Sequence, residues 1–286
     1  MLSEEMRMRE YWQLFAPGLH IGEKSILQNV AHLRFTNSER VEMANLLKED
    51  GYIQSSADWG LDLKLMADTV RSLSGANLPP VFAFLYDEFW HPFLKLHLLY
   101  SALLGGEYFL LPAFWVWNVD PKRNESGWTP HRDRGRISLF DDGAPKSLTT
   151  WIALSSATPL NGCMYIVPAR HDPIYAKVED PLWKLRLEFS SIRALPAKPG
   201  DFFIWNQELL HWGGRASSRA TESRVSIAFE LQRADVPAFS EPLLDPFDIP
   251  PFEMRLKLIA KQLLQYQHMY TLEPELAHFA SALLAH

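Results

Sequence analysis

From residue 109 to residue 232, apolar and polar positions alternate in short runs, whereas on either side they recur every three or four residues. The first rhythm is that of half-buried strands and the second that of amphipathic helices. Thr36-Asn37-Ser38-Glu39 reads as a helix start, with Val41, Ala44 and Leu47 forming the apolar stripe. Asp50-Gly51 ends that helix, and Tyr52-Ile53 begins an extended piece. Asp58 to Ser72 carries Leu61, Leu65, Met66 and Val70 in a second helical rhythm. Val81 to Leu104 is nearly all apolar, and Pro92 sits where it suits the first turn of a helix running to Leu104 and closed by Gly105-Gly106. Further helices are expected at 252–269 and 273–285, and a short one from Glu4 to Phe15, stopped by Pro17-Gly18.

Strands are expected at Phe109–Val119, around His131, at Leu148–Ser155, Cys163–Val167, Ile192–Leu195, Phe202–Trp205 and Arg224–Gln232. Residues 134–146, charged and glycine-rich, read as a surface loop, either a lid or a plain connection. A variable segment with Trp183, Leu185, Leu187 and Phe189 follows His171. Many short strands between two helical regions predict a mainly β core with α flanks, built as a double-sheet barrel. One domain over 1–286 is expected, with a helical flank at 1–108, the core at 109–232 and a helical segment at 238–286.

Composition narrows the function. With 286 residues, 47% of them hydrophobic, the chain is large enough for one sizeable core. A net charge of −6 argues against a nucleic-acid backbone binder. The single cysteine, Cys163, allows no internal disulfide, and the first residues lack a secretory layout; a cytoplasmic setting is expected. No apolar run is long enough to span a bilayer, and no glycine-rich nucleotide fingerprint is present.

The candidate chemistry centres on Trp128-Thr129-Pro130-His131-Arg132-Asp133. In a strand, His131 and Asp133 share a face, so an imidazole and a carboxylate converge. With His211 they would complete a two-histidine, one-carboxylate facial triad, which leaves positions on a non-haem Fe(II) for a co-substrate and O2. A 2-oxoacid can chelate there, and its far carboxylate then needs a forked cation. Arg224 is the candidate anchor, with Ser226 adding a hydroxyl on the same strand face and Arg219 the alternative. Trp151 and Asn118 are placed to contact the oxoacid, and Trp117, Trp128 and Trp205 to contact it or the substrate, although core packing explains each about as well. His171 can line the pocket mouth or simply sit in a turn, and Arg132 and Lys146 can bind an anionic substrate or face solvent.

At these residues the chain resembles the phytanoyl-CoA dioxygenase-like branch of the Fe(II)/2-oxoglutarate-dependent oxygenases. The resemblance rests on His131-Arg132-Asp133, on the run from Trp151 to His171 that includes Asn161-Gly162-Cys163-Met164, on Gly200-Asp201 ahead of His211, and on Arg224-Val225-Ser226. It covers 109–232 well and, through Leu47–Tyr52, 36–53 loosely. It implies a double-stranded β-helix, or jelly-roll (cupin-like), core that uses Fe(II), 2-oxoglutarate and O2. The implied activity is hydroxylation of an unactivated C–H bond in a small molecule, which can be anionic or carrier-linked, with release of succinate and CO2. Because Asp133 occupies the carboxylate position, hydroxylation is favoured over halogenation. Desaturation, cyclisation or epoxidation at the same site is the alternative. A cupin-like binder would instead hold metal without turnover.

Overall fold

The computed structural model describes residues 2–22, 31–175, 177 and 187–285. Trp183 and Leu185 of the variable segment lie outside the described residues. The helices are α1 (Leu2–Glu5), α2 (Arg9–Phe15), α3 (Asn37–Asp50), α4 (Leu63–Gly75), α5 (His91–Lys95), α6 (His97–Leu104), α7 (Phe252–Gln265) and α8 (Pro274–Leu284). The strands are β1 (Tyr52–Ser56), β2 (Tyr108–Val119), β3 (Ser147–Ala153), β4 (Met164–Val167), β5 (Arg193–Leu195), β6 (Asp201–Asn206), β7 (Leu210–Gly213) and β8 (Arg224–Arg233). None of the described helices is long and apolar enough to cross a membrane.

The start of α3 matches its sequence signal. Thr36 Oγ1 accepts from the Glu39 amide, and the Glu39 carboxylate accepts from the Thr36 amide, a reciprocal cap. Gly51 ends the helix at φ +82°, a conformation that costs glycine little. The apolar run 81–104 is not one long helix: a 3-10 turn at Pro80–Leu85 precedes α5 and α6, which break at Leu96.

The expected mainly β barrel is not what forms. Helices hold more residues than strands, and the strands make two open antiparallel sheets, one ordered β1-β6-β3-β8-β2 and the other β5-β4-β7. A double-stranded β-helix (jelly-roll, cupin-like) barrel needs ladders that join the sheet edges, but among the described residues β1 pairs only β6 and β2 pairs only β8. The segment expected as a strand around His131 makes a single bridge, His131 to His211. The reason is visible in 120–146, where Pro121, Pro130 and Pro145 remove ladder donors among irregular glycine-containing turns. The result is a mixed α/β fold in which helices cover the outer face of the large sheet.

On that outer face Phe84, Phe93, Phe114 and Phe229 pack ring against ring beside Trp90. The strand β2 shifts register between Leu110 and Phe114, around Pro112. Gln262 of α7 satisfies this irregularity, its Nε2 donating to Pro112 O and its Oε1 accepting from the Phe114 amide. That docking carries the C-terminal end of α7 toward the inner face of the sheet. Arg255, one turn from the start of α7, is buried; its Nη2 meets Asp87 Oδ1 at 2.6 Å and its Nη1 donates to Leu85 O. Removing one partner of a buried pair strands the other charge, so Arg255→Met is expected to cost about 3–5 kcal/mol in urea unfolding.

Candidate active site

The inner face of the large sheet is defined by register. Thr149 stands opposite Glu230, Trp151 opposite Ala228, and Ala153 opposite Ser226 between β3 and β8. Trp115 and Trp117 of β2 face Ala228 and Ser226 from the other side, and Trp205 of β6 pairs with Thr149. The alternation of β8 therefore sends Ser226, Ala228 and Glu230 into one cleft. The smaller sheet supplies His211 on β7, and the 128–133 segment closes against it. His131 N donates to His211 O and His211 N to His131 O, both at 3.0 Å.

The two rings come to 4.4 Å between centroids. Nδ1 of His131 lies 2.7 Å from Thr129 O, and Nδ1 of His211 lies 3.0 Å from Leu209 O. A carbonyl can only accept, so each Nδ1 carries a proton, and each Nε2 presents a lone pair when its ring is neutral. Both Nε2 atoms point to Asp133 Oδ1, each at 3.4 Å. The other oxygen, Oδ2, accepts from Thr149 Oγ1 at 2.7 Å and Trp205 Nε1 at 2.9 Å. Oδ1 is thus left for the centre, and the candidate ligand atoms of His131, Asp133 and His211 lie within 4.8 Å of one another.

The charges follow from these contacts. Burial disfavours the Asp133 anion, but the His211 and His131 rings beside it and the hydroxyl of Thr149 outweigh that and hold the carboxyl well below the usual range. Burial pushes His211 down to about 4, so it is neutral at physiological pH. His131 also loses by burial, yet the hydrogen bond and charge of Asp133 raise it overall. Two neutral-capable imidazole nitrogens and one carboxylate oxygen form the donor set that suits a non-haem iron.

Beneath this cluster Arg224 is 1% exposed. Its Nη1 donates to Ser226 Oγ at 2.6 Å, and its guanidinium lies 5.8 Å from the Trp151 ring centre. Arg224 Nε and Nη2 and Trp151 Nε1 are buried donors without a protein partner. Burial pushes Arg224 down to about 10, which still leaves it charged near neutrality. Orphaned buried donors around a cation are what an anionic ligand satisfies. Gly127 and Gly213 flank the arginine. A Cβ on Gly213 would stand 2.6 Å from Gly127 Cα and 3.1 Å from Arg224 Nη2. Gly213→Ala is therefore expected to lower stability by about 1–3 kcal/mol through overpacking and to weaken anion binding at Arg224, read by urea unfolding and by calorimetric titration.

Other expected residues fall elsewhere. Asn118 points away from this cleft and lines two grooves on the outside. Arg219 is exposed and does not line the cavity. His171 is exposed in a 3-10 turn. Arg132 is taken up structurally, donating to Asp172 Oδ2 at 2.6 Å and to Glu208 O. Lys146 lies over the Phe140 ring. The 134–146 loop is pinned where the Arg134 and Gly135 amides donate to Gln207 O. Trp117, Trp128 and Trp205 do line the cavity.

Thr149, Glu230 and Tyr266 are among the cavity residues not singled out from the sequence. Glu230 reads as one polar position in an alternating strand, yet it faces the cavity, paired with Arg134, and burial raises its carboxyl. Tyr266, just past α7, packs on Trp128 with centroids 4.6 Å apart and closes the cavity from above. The period-two pattern of β8 could have flagged Glu230; nothing local marks Tyr266.

Comparison with known proteins bears on these residues. The family model described as "Phytanoyl-CoA dioxygenase (PhyH)" matches residues 57–225. The dioxygenase lolE1 of Epichloe uncinata is 23% identical over 232 residues, spanning 77% of this chain and 84% of that protein. Among solved structures, the non-haem alpha-ketoglutarate-dependent epimerase SnoN from nogalamycin biosynthesis is similar at TM-score 0.53 and 18% identity, covering 73% of this chain and 92% of its own. EctD from S. alaskensis, crystallised with 2-oxoglutarate and 5-hydroxyectoine, is similar at TM-score 0.52 and 18% identity over 78% and 93% of the two chains. The carbocyclase SnoK from nogalamycin biosynthesis matches at TM-score 0.52 and 17% identity over 77% and 98%.

Proposed function

The chain belongs to the phytanoyl-CoA dioxygenase family and is an Fe(II)/2-oxoglutarate-dependent oxygenase, and from that premise we propose that it hydroxylates an unactivated C–H bond of a small molecule. The observation that carries this reading is the convergence of His131 Nε2, His211 Nε2 and Asp133 Oδ1 above the unpartnered donors of Arg224. His131, Asp133 and His211 would hold the iron, which when bound activates O2 and drives decarboxylation of the oxoacid. The protein's own part is positioning. Thr129 O and Leu209 O fix both imidazole tautomers, and Thr149 and Trp205 fix which Asp133 oxygen faces the centre. Arg224 and Ser226 would grip the far carboxylate of 2-oxoglutarate, with Trp151 Nε1 offering a further donor. Trp128 and Tyr266 exclude water from above. A carboxylate at position 133, rather than a small residue that would leave room for a halide, favours oxygenation over halogenation.

The second reading is ring closure or epimerisation at the same site. It is favoured by the fold shared with an epimerase and a carbocyclase, since the outcome depends on which substrate atom the cavity presents. A cytoplasmic setting completes the proposal, because the lone Cys163 is a buried free thiol and Fe(II) needs a reducing milieu. The test is anaerobic reconstitution with Fe(II) and 2-oxoglutarate, watched for the weak visible charge-transfer band, followed by substrate screening for succinate release. Product mass then separates the readings: hydroxylation adds one oxygen atom, ring closure or desaturation removes two hydrogens, and epimerisation changes nothing. If iron-loaded protein gives no band with 2-oxoglutarate, the site assignment fails.

A further inference from the structure

The cavity at the candidate metal centre measures only about 40 Å³. That is room for about three waters, whereas pockets for small organic ligands run to roughly 300–1,000 Å³, so the walls must give to admit even the oxoacid and no room is left for the body of a substrate. Immediately outside it lies a groove of about 1030 Å³. Trp115, Trp117, Gly127 and Trp128 line both spaces, so the two are separated by one layer of side chains. Tyr266 stands on the inner side of that layer and Tyr270 on the outer side, both against Trp115 at 5.2 Å between centroids.

We propose that the groove holds the non-reacting body of the substrate, and that the Tyr266–Leu272 turn is the gate through which the reacting part reaches the metal centre. This rests on the oxygenase reading above and adds the route and the substrate-body site. The choice of wall follows from what holds each one. Below and beside the cavity are β3, β6 and β8, laddered to one another through the large sheet. The turn, by contrast, is tied only locally. Met269 N donates to Tyr266 O, Tyr270 Oη to Leu263 O, and His268 Nδ1 meets Gln265 O; among the described residues its hydrogen bonds stay within the turn or return to α7. Rotating Tyr266 and Tyr270 away breaks ring contacts but no ladder, and it joins the two spaces.

The groove also defines what fits. Its inner wall is ring-rich, with Trp115, Trp117 and Tyr270, and Leu78 and Pro79 make the far side apolar. Along it runs an edge of β2, where among the described residues Val116–Val119 ladder with β8 on one side only. Arg123, Glu125 and Glu273 line the same groove, so the occupant is a ring-bearing small molecule that also carries polar groups, larger than the oxoacid it accompanies.

The route can be measured without iron or oxoacid. Ala228→Cys places a thiol on the cavity floor, and the native Cys163 is buried, so unsubstituted protein serves as the blank. The rate of labelling by benzyl methanethiosulfonate then reports access. Tyr266→Ala in that background removes contacts with Trp115 and Trp128 and is expected to speed labelling by about tenfold. Tyr270→Ala is expected to act in the same direction. Thr271→Trp, which puts bulk into the groove, is expected to slow labelling, and Met164→Ala on the opposite cavity wall to leave it unchanged. Near-UV circular dichroism checks the fold of each variant; if Tyr266→Ala does not fold, Tyr270→Ala and Thr271→Trp carry the test. Unchanged rates in the tyrosine variants, or acceleration by Met164→Ala alone, would overturn the gate. A preserved charge-transfer band alongside unchanged labelling would sink the gate and leave the oxygenase reading standing.

Discussion

Asp133→Ala is expected to abolish iron-dependent succinate formation and to weaken Fe(II) binding by more than about a hundredfold, the upper end of what even an outer partner of a metal ligand commands. Oδ1 is the atom on which both imidazole Nε2 atoms converge, and no other carboxylate belongs to this cluster among the described residues. Substitutions one layer out grade the effect. Thr149→Val or Trp205→Phe removes one of the two donors that hold Oδ2, so each is expected to cost about tenfold in iron affinity while leaving the ligand set intact. Equilibrium dialysis with Fe(II) under anaerobic conditions measures all three. If Asp133→Ala kept wild-type affinity, the triad would be the wrong site.

The second large effect belongs to Arg224. Arg224→Met is expected to raise the dissociation constant for 2-oxoglutarate by about a hundredfold, because two charge-assisted hydrogen bonds are lost together. Arg224→Lys is expected to recover little, since an ammonium cannot reproduce the fork and the Gly127–Gly213 walls fit a planar group closely. The same substitution has a converse in the ligand-free protein. Arg224 is a buried charge with two unpartnered nitrogens, so replacing it by methionine is expected to leave the ligand-free fold as stable or more stable. Thermal unfolding with and without 2-oxoglutarate reads both halves. Wild type should gain stability on adding the oxoacid and Arg224→Met should not. A wild-type protein indifferent to 2-oxoglutarate would remove Arg224 from this role.

Local spacing accounts for what the chain reveals by itself. His131 and Asp133 are two apart, and period-two geometry turns them to one side even though their segment forms a bridge and not a strand. The alternation in β8 likewise placed Ser226 on the cavity side, and the helix cap at Thr36 and stop at Gly51 are written in adjacent residues. The pairing of distant motifs, His131 with His211 and both with Arg224, was legible through the family resemblance, and the cavity brings these residues together.

Tertiary contacts decided the rest. Whether short strands close into a barrel depends on edge partners, and among the described residues β1 ladders with β6 alone and β2 with β8 alone. Asn118 falls outside the cleft because its neighbours Trp115 and Trp117 own the inner face of β2, a one-residue distinction that alternation alone does not resolve. Tyr266 closes the site because Gln262 docks α7 onto the irregular stretch of β2, a contact 148 residues away in sequence. Hydrophobic rhythm is a local property of the backbone, so it survives in the sequence; edge pairing, helix docking and the volume left between them arise only when distant segments meet.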